Sequence, residues 1–535
     1  MTTRFRIIQL FSMLLAVMFF AGAAAVGSSP QRAAAATYTP ISGTGSTWSQ
    51  NALDQWRKNV AANYGMTVNY SGTGSSAGRR DFVAGTVDFA VSEIPFQASP
   101  EDGSAAEKPP RGFAYMPIVA GGTSFMYNVK IGGKRVTNLR LGGETVTKIF
   151  TGKITNWNDP QIAADNPGLA MPNKPIVPVV RSDGSGSTAQ FTLWMSKQYP
   201  ALWQSFSGKA GLTSQYPVKG ATKAQNGSLG VAGYVSQAYG EGAITYVEYS
   251  YALKSGFPVA KILNSSGYYV EPTAPSVAVA LLKAQINTNA SSAEYLTQIL
   301  DGVYNNPDKR TYPLSSYSYM IVPTEVGGVF NTDKGNTLGT FASYMLCEGQ
   351  QQAAALGYSP LPMNLVLAGF DQIKRVPGAG SANVDPNSCN NPTFKKGDSP
   401  SNNQLAVTAP QPAACDKQGP DQCTTGTAGA AGTATVVSGS GKGGSSSNTA
   451  NAAGGAMTDG ASSSAGSAAD IGSADASASS GATGGAVSTP YTLASASWGT
   501  GQFVMLGAGA FLVLVIVLPA LLSSRLKKLG ADPKK

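Results

Sequence analysis

The chain has 535 residues, too many for one ordinary domain and enough for two substantial lobes with appendages. Only 13 % of the residues are charged and 63 are glycine, a dilution that comes largely from the last quarter, so the earlier part keeps the makeup of a globular body. The formal charge of +9 is scattered with no basic run beside aromatics, which speaks against nucleic-acid binding.

In chain order, Arg4 and Arg6 precede an apolar run from Ile7, and small residues with Ala-x-Ala spacing continue to Ala36. This is the pattern of a secretory signal peptide, residues 1–36, with a retained membrane helix as the competing reading because the run is long. No cysteine lies near it, which excludes lipid attachment there. From Thr37 onward, strand-like runs ("VDFAVS", "IVPVV", "AITYVEY", "YMIVP") alternate with helix-like segments ("ALDQWRKNVAANYG", "TAQFTLWMSKQYPALW", "VAVALLKAQIN"). The alternation predicts an α/β body with largely parallel sheets.

The four cysteines, Cys347, Cys389, Cys415 and Cys423, all come late. An even number in an exported chain predicts two disulfides. Three connectivities are open; the favoured one joins Cys415 with Cys423, which closes a short loop, and Cys347 with Cys389. A zinc site is disfavoured by the spacing and by the lack of any histidine. Residues 425–500 collapse to Ala, Gly, Ser and Thr and predict a flexible spacer. Its root-mean-square span would be about 45–50 Å. Phe503 to Leu522 is an uncharged run long enough to span a bilayer, though Pro519 would kink it. The basic tail 523–535, with Arg525, Lys527, Lys528, Lys534 and Lys535, then predicts a cytoplasmic end and an extracytoplasmic body.

Three stretches share one chemistry. "GTGSTWSQNALDQW" (43–56), "YSGTGSSAGRRDFVAGTVDFAVSE" (70–93) and "RSDGSGSTAQF" (181–191) each run from glycine and hydroxyl residues into a helix pattern. Such a junction presents unpaired backbone N–H groups where the helix dipole favours an anion. Thr47, Ser75, Ser185 and Ser187 would add hydroxyls, and Arg181 a charged fork oriented by Asp183. Taken singly, each stretch reads equally as an ordinary helix cap.

Together with "FTGKITNWNDPQIAADNPGLAMP" and "AITYVEYSYA", these stretches resemble, in order from about residue 38 to about 375, the phosphate-binding proteins of bacterial phosphate ABC transporters, the PstS type. The resemblance implies a two-lobed periplasmic-binding-protein fold of type II with a hinge and the ligand between lobes. The binding domain would span 37–424, with lobe one at about 37–120 and 318–424 and lobe two at about 121–317. It implies inorganic phosphate bound by Thr47, Trp48, Ser75, Glu93, Arg181, Ser185, Gly186 and Ser187, with Asp183 behind Arg181. Trp48 replaces the family's Phe and Ser187 its Thr. Glu93 stands where the family has Asp, the acceptor for the ligand's own proton. An ionised carboxylate there accepts hydrogen phosphate and repels sulfate. The competing reading pairs Glu93 with Arg79 or Arg80 outside the cleft.

No catalytic activity, metal or cofactor is expected: the chain has no histidine base, no P-loop pattern and no metal-ligating cluster. The expected role is delivery of phosphate to an ABC permease by a protein anchored through its C-terminal helix, in an architecture that suits a Gram-positive envelope. A phosphate sensor, or a cell-surface interaction protein keeping the fold without transport, is the alternative.

Overall fold

The computed structural model describes residues 38–427, apart from 290, 293, 296, 381–384 and 400–402. The expected signal peptide, the apolar run 503–522, the basic tail and all but the first residues of the spacer lie outside the described residues. Among the described residues no helix is long and apolar enough to cross a membrane.

Eight strands form one continuous ladder. In chain order the elements that matter are β1 (Ile41–Gly45), α1 (Gln50–Tyr64), β2 (Val68–Ser71), α2 (Ser75–Ala84), β3 (Phe89–Ser92) and β4 (Phe113–Tyr127). They continue with β5 (Val177–Arg181), α3 (Gly186–Gln198), β6 (Lys223–Gln225), α4 (Gly227–Ser236), β7 (Ala243–Glu248) and β8 (Ser315–Pro323). The ladder order is β2-β1-β3-β8-β4-β7-β5-β6. β1 runs parallel to β2 and β3, and β5 parallel to β7 and β6. The predicted parallel pairing therefore holds within each end of the ladder. At its middle, β8 is antiparallel to both β3 and β4, and β7 is antiparallel to β4.

β4 explains this arrangement. Fourteen of its fifteen residues are buried, as a near-continuous apolar strand covered on both faces should be. Phe113 to Gly122 pair with β8, and Thr123 to Tyr127 pair with β7. One strand thus serves two lobes, with the change of partner at Gly122/Thr123. Helices cover the lobes by amphipathic packing. α1 buries Ala52, Leu53, Trp56 and Val60 and stops at Gly65, whose φ of 67° closes the last turn as few other residues can.

Two helix predictions need shortening. The pattern through residue 203 breaks at Tyr199, because Pro200 bars the residue before it from helical conformation; a separate helix, Pro200–Ser207, follows. The pattern at 277–287 is helical only as far as Leu281, and Gln285–Ile286 pair instead with Gln298–Ile299. Both expected disulfides form, Cys347–Cys389 and Cys415–Cys423.

The tail of the body also departs from expectation. Asn391 and Thr393 bond Leu361 on lobe one, but residues 404–427 pack on lobe two. Lys261 pairs with Asp416 at 2.8 Å, Arg140 Nη1 donates to the carbonyls of Cys415 and Asp421, and Asn138 donates to that of Cys423. The packed body continues to Thr427, whose N–H donates to Thr137 O at 2.9 Å and whose hydroxyl accepts from Val259 N–H at 3.1 Å.

Candidate functional site

The three glycine and hydroxyl stretches each connect the carboxyl end of a parallel strand to a helix: β1 to α1, β2 to α2, and β5 to α3. A fourth junction, β6 to α4, does the same through Asn226 and Gly227. Ligands of open α/β sheets sit beyond such strand ends. The four turns converge there, α1 and α2 from lobe one and α3 and α4 from lobe two.

One half of the site is built on Glu93, which follows β3 and is fully buried. Its Oε2 accepts from the Ser75 hydroxyl at 2.8 Å, and its Oε1 accepts from the Ser318 hydroxyl at 2.8 Å. Ser318 sits where the β8–β4 register shifts, an irregularity of the kind that re-aims side chains beside functional sites. Across the cleft, the first amide of α3 closes the group: Gly186 N–H donates to Ser75 Oγ at 3.1 Å. The glycine is required. A Cβ at 186 would lie 2.0 Å from Glu93 Oε2.

The competing reading of Glu93 fails. Arg79 is held by Glu107, with Nε to Oε2 at 2.7 Å, and by Ser92, while Arg80 pairs with Asp102. Buried Glu93 thus keeps two hydroxyl donors and a facing amide, an arrangement suited to an acceptor that a ligand's proton can reach.

The other half is built on Arg181, at the end of β5. Its Nε donates to Asp183 Oδ1 at 2.7 Å, its Nη2 to Asp183 Oδ2, and its Nη1 to Ser228 Oγ at 3.3 Å. Both side chains of the ion pair are nearly inaccessible. Burial opposes the charge on Asp183, but bonds from Arg181 and from the Gly227 N–H outweigh it and hold the carboxyl below its usual range. Thr47 of lobe one meets this group. Its hydroxyl lies 2.8 Å from that of Ser228 and accepts from Ser228 N–H at 3.1 Å, and its carbonyl accepts from the Tyr251 hydroxyl. The halves touch where Gly74, at φ 93°, passes against Asp183; a Cβ there would be 2.6 Å from Oδ2.

Three expected donors stand differently from one another. The Trp48 N–H donates at 2.9 Å to Ser46 Oγ in a local turn two residues back. Ser185 Oγ caps α3 by accepting from Thr188 N–H at 3.2 Å, which leaves only its own proton to give. Ser187 Oγ is buried with no partner among the described residues. Ser228 and Ser318 went unnoticed in the sequence. "NGSLG" carries the same glycine and hydroxyl signal for Ser228, whereas Ser318 carries none because a strand irregularity aims it. The site can hold a small anion: it offers one guanidinium, several hydroxyls and helix N-termini, plus one carboxylate acceptor.

The chain is similar to known proteins of one family. The family model described as the PBP superfamily domain matches residues 30–348. "Phosphate-binding protein PstS" of Xylella fastidiosa strain Temecula1 is 32% identical over 331 residues, covering 61% of this chain and 82% of that protein. "Phosphate-binding protein PstS 2" of Mycobacterium tuberculosis is 30% identical over 333 residues, covering 60% and 82%. Among solved structures, a high affinity periplasmic phosphate-binding protein (PfluDING) bound with phosphate aligns with a TM-score of 0.49 at 20% identity, covering 66% of this chain and 100% of that one. A family model matching well over half of the chain, and a relative above 30% identity matched along most of its own length, lead to one conclusion: the chain belongs to the PBP superfamily and, within it, to the PstS-type phosphate-binding proteins.

Proposed function

We propose that this protein captures inorganic phosphate between its two lobes outside the cytoplasm and delivers it to a phosphate ABC importer. The observation that carries the reading is Glu93, a buried carboxylate held by Ser75 and Ser318 opposite the Gly186 amide. Tetrahedral oxyanions of similar size differ in whether they carry a proton. A fixed acceptor selects the protonated one, and an unprotonated competitor leaves two negative groups facing each other in a dry cleft. Arg181, held by Asp183, supplies the opposite charge, and the hydroxyls of Thr47, Ser75, Ser187 and Ser228 supply donors. Relatives named as phosphate-binding proteins support the same ligand.

Type II hinge closure about β4 and β8 is the motion we assign. The chain changes lobes within both strands, so a bend there separates Thr47, Ser75 and Glu93 from Arg181, Gly186 and Ser228. The sequence beyond 427 supports anchoring by the apolar run 503–522 with a cytoplasmic basic tail, and a single-membrane Gram-positive envelope suits that plan.

The test is calorimetric titration of the purified protein, stripped of co-purified ligand, with phosphate and then sulfate. Phosphate should bind at micromolar strength or better with sulfate silent. Glu93→Gln should weaken phosphate by roughly tenfold or more and admit sulfate, because the amide can donate to an unprotonated oxygen. Equal phosphate–sulfate discrimination in variant and wild type would remove Glu93 from the site.

A further inference from the structure

Behind Glu93 lies a small buried cavity of about 10 Å³, lined in part by Gln190, Tyr304, Ser316, Phe191, Trp194 and Leu314. That is about the room that one water molecule needs. Three of the lining groups share an anomaly: Gln190 Oε1, the Tyr304 hydroxyl and Ser316 Oγ have no hydrogen-bond partner among the described residues. All three residues are more than nine-tenths buried, at 8%, 6% and 2% exposure. An isolated orphan polar atom is unremarkable. Three around one water-sized cavity match the usual environment of an internal water, which makes about three hydrogen bonds.

The donor and acceptor inventory closes. The Gln190 amide has a fixed orientation, because its Nε2 donates at 2.8 Å to the carbonyl of Glu93, which can only accept. Its Oε1 is therefore the amide atom left without a partner, and it can only accept. Burial pushes the Tyr304 phenol up, so it keeps its proton and can donate. A water accepting from the Tyr304 and Ser316 hydroxyls and donating to Gln190 Oε1 gives each of the three groups a partner. Immobilising one water costs less than leaving three buried polar atoms unpaired.

The location gives the water a role. Gln190 lies on α3 of lobe two, and Ser316 lies on β8, opposite Gly121 of β4 and two residues from Ser318, which donates to Glu93. Gln190 thus reaches from lobe two to the backbone of the very residue whose carboxylate faces the cleft. We infer that one ordered water is a built part of this site, held by Tyr304, Ser316 and Gln190, and that Gln190 fixed by it is a positioning residue for Glu93. The water follows from the cavity alone, whereas the effect on selectivity rests on the proposed phosphate reading.

Two experiments test this. In a high-resolution crystal structure of the wild-type protein, a density peak should stand within about 3.2 Å of Gln190 Oε1, Tyr304 Oη and Ser316 Oγ. An empty cavity, or direct bonds among the three groups, overturns the water site whether or not phosphate binds. In solution, Gln190→Met should raise the phosphate dissociation constant about fivefold, the worth of one neutral hydrogen bond, and lower the phosphate-over-sulfate ratio. Tyr304→Phe, which keeps shape and fold, should move both readouts the same way by a smaller factor. The double variant should be no weaker than Gln190→Met, since the water acts through that side chain. Unchanged selectivity in Tyr304→Phe, or multiplying effects in the double variant, overturns the positioning role. A wild-type protein that ignores phosphate refutes the functional reading instead and leaves the crystallographic outcome to decide on the water.

Discussion

Gly186→Ala is the sharpest probe of the site, because it adds one carbon at its narrowest point. The new Cβ would stand 2.0 Å from Glu93 Oε2, 2.7 Å from Ser75 Oγ and 3.0 Å from Glu93 Cβ. The backbone itself does not object, since Gly186 has no positive φ and heads α3. Overpacking costs about 1–3 kcal/mol, so the protein should still fold with a modestly lowered melting temperature. Binding should not escape. The carboxylate must withdraw from the Ser75 hydroxyl at 2.8 Å, and Ser75 from the Gly186 amide at 3.1 Å. Losing a charge-assisted bond of about 1.5–3 kcal/mol and a neutral one of about 1 predicts a roughly 100- to 1000-fold rise in the phosphate dissociation constant. Calorimetry against a thermal melt separates the two effects. Affinity within threefold of wild type at an unchanged melting temperature would refute the reasoning, because Glu93 could then not be bound against the Gly186 amide in the competent state.

Two further predictions concern residues outside the expected set. Ser228→Ala should strip Thr47 and Arg181 Nη1 of their shared partner and weaken phosphate about 5- to 30-fold without admitting sulfate; unchanged affinity would place Ser228 outside the site. Glu248→Gln addresses stability. Burial pushes the Glu248 carboxyl well up, against bonds such as that from Ser250 N–H, and its Oε1 has no partner among the described residues. The folded state therefore holds a proton that the unfolded chain releases near pH 4.3. That contribution is complete below about pH 4.3 and is lost as pH rises towards the folded value, by at most about 1.4 kcal/mol per pH unit. Urea midpoints between pH 4 and 8 should decline less in the glutamine variant, and an identical decline would show that Glu248 is not the source.

What could be read from the chain follows the range of the interactions. Helix N-termini announce themselves locally, so Ser75, Arg181, Asp183 and Gly186 were visible as glycine and hydroxyl runs beside a charge. That the Trp48 amide turns back to Ser46 is a choice made within three residues but not encoded in their types. Ser318 and Gln190 reach Glu93 only through strand register and lobe packing, and no local pattern marks them. The bonds that hold the tail to Arg140 and Lys261 span more than a hundred residues of sequence, and no local pattern marks them.

That tail sets where mechanical load enters. Residues 404–427 are strapped to lobe two by the Asp416–Lys261 pair, the grip of Arg140 and the bonds of Thr427, around a loop cinched by Cys415–Cys423. Tension arriving along the chain from residue 428 onward is taken up there. Lobe one, reached through β4, β8 and the segment before 404, stays outside that line of force. For a protein held from its C-terminal side, load then enters on the side that carries Arg181 and Ser228, and Thr47, Ser75 and Glu93 lie outside it.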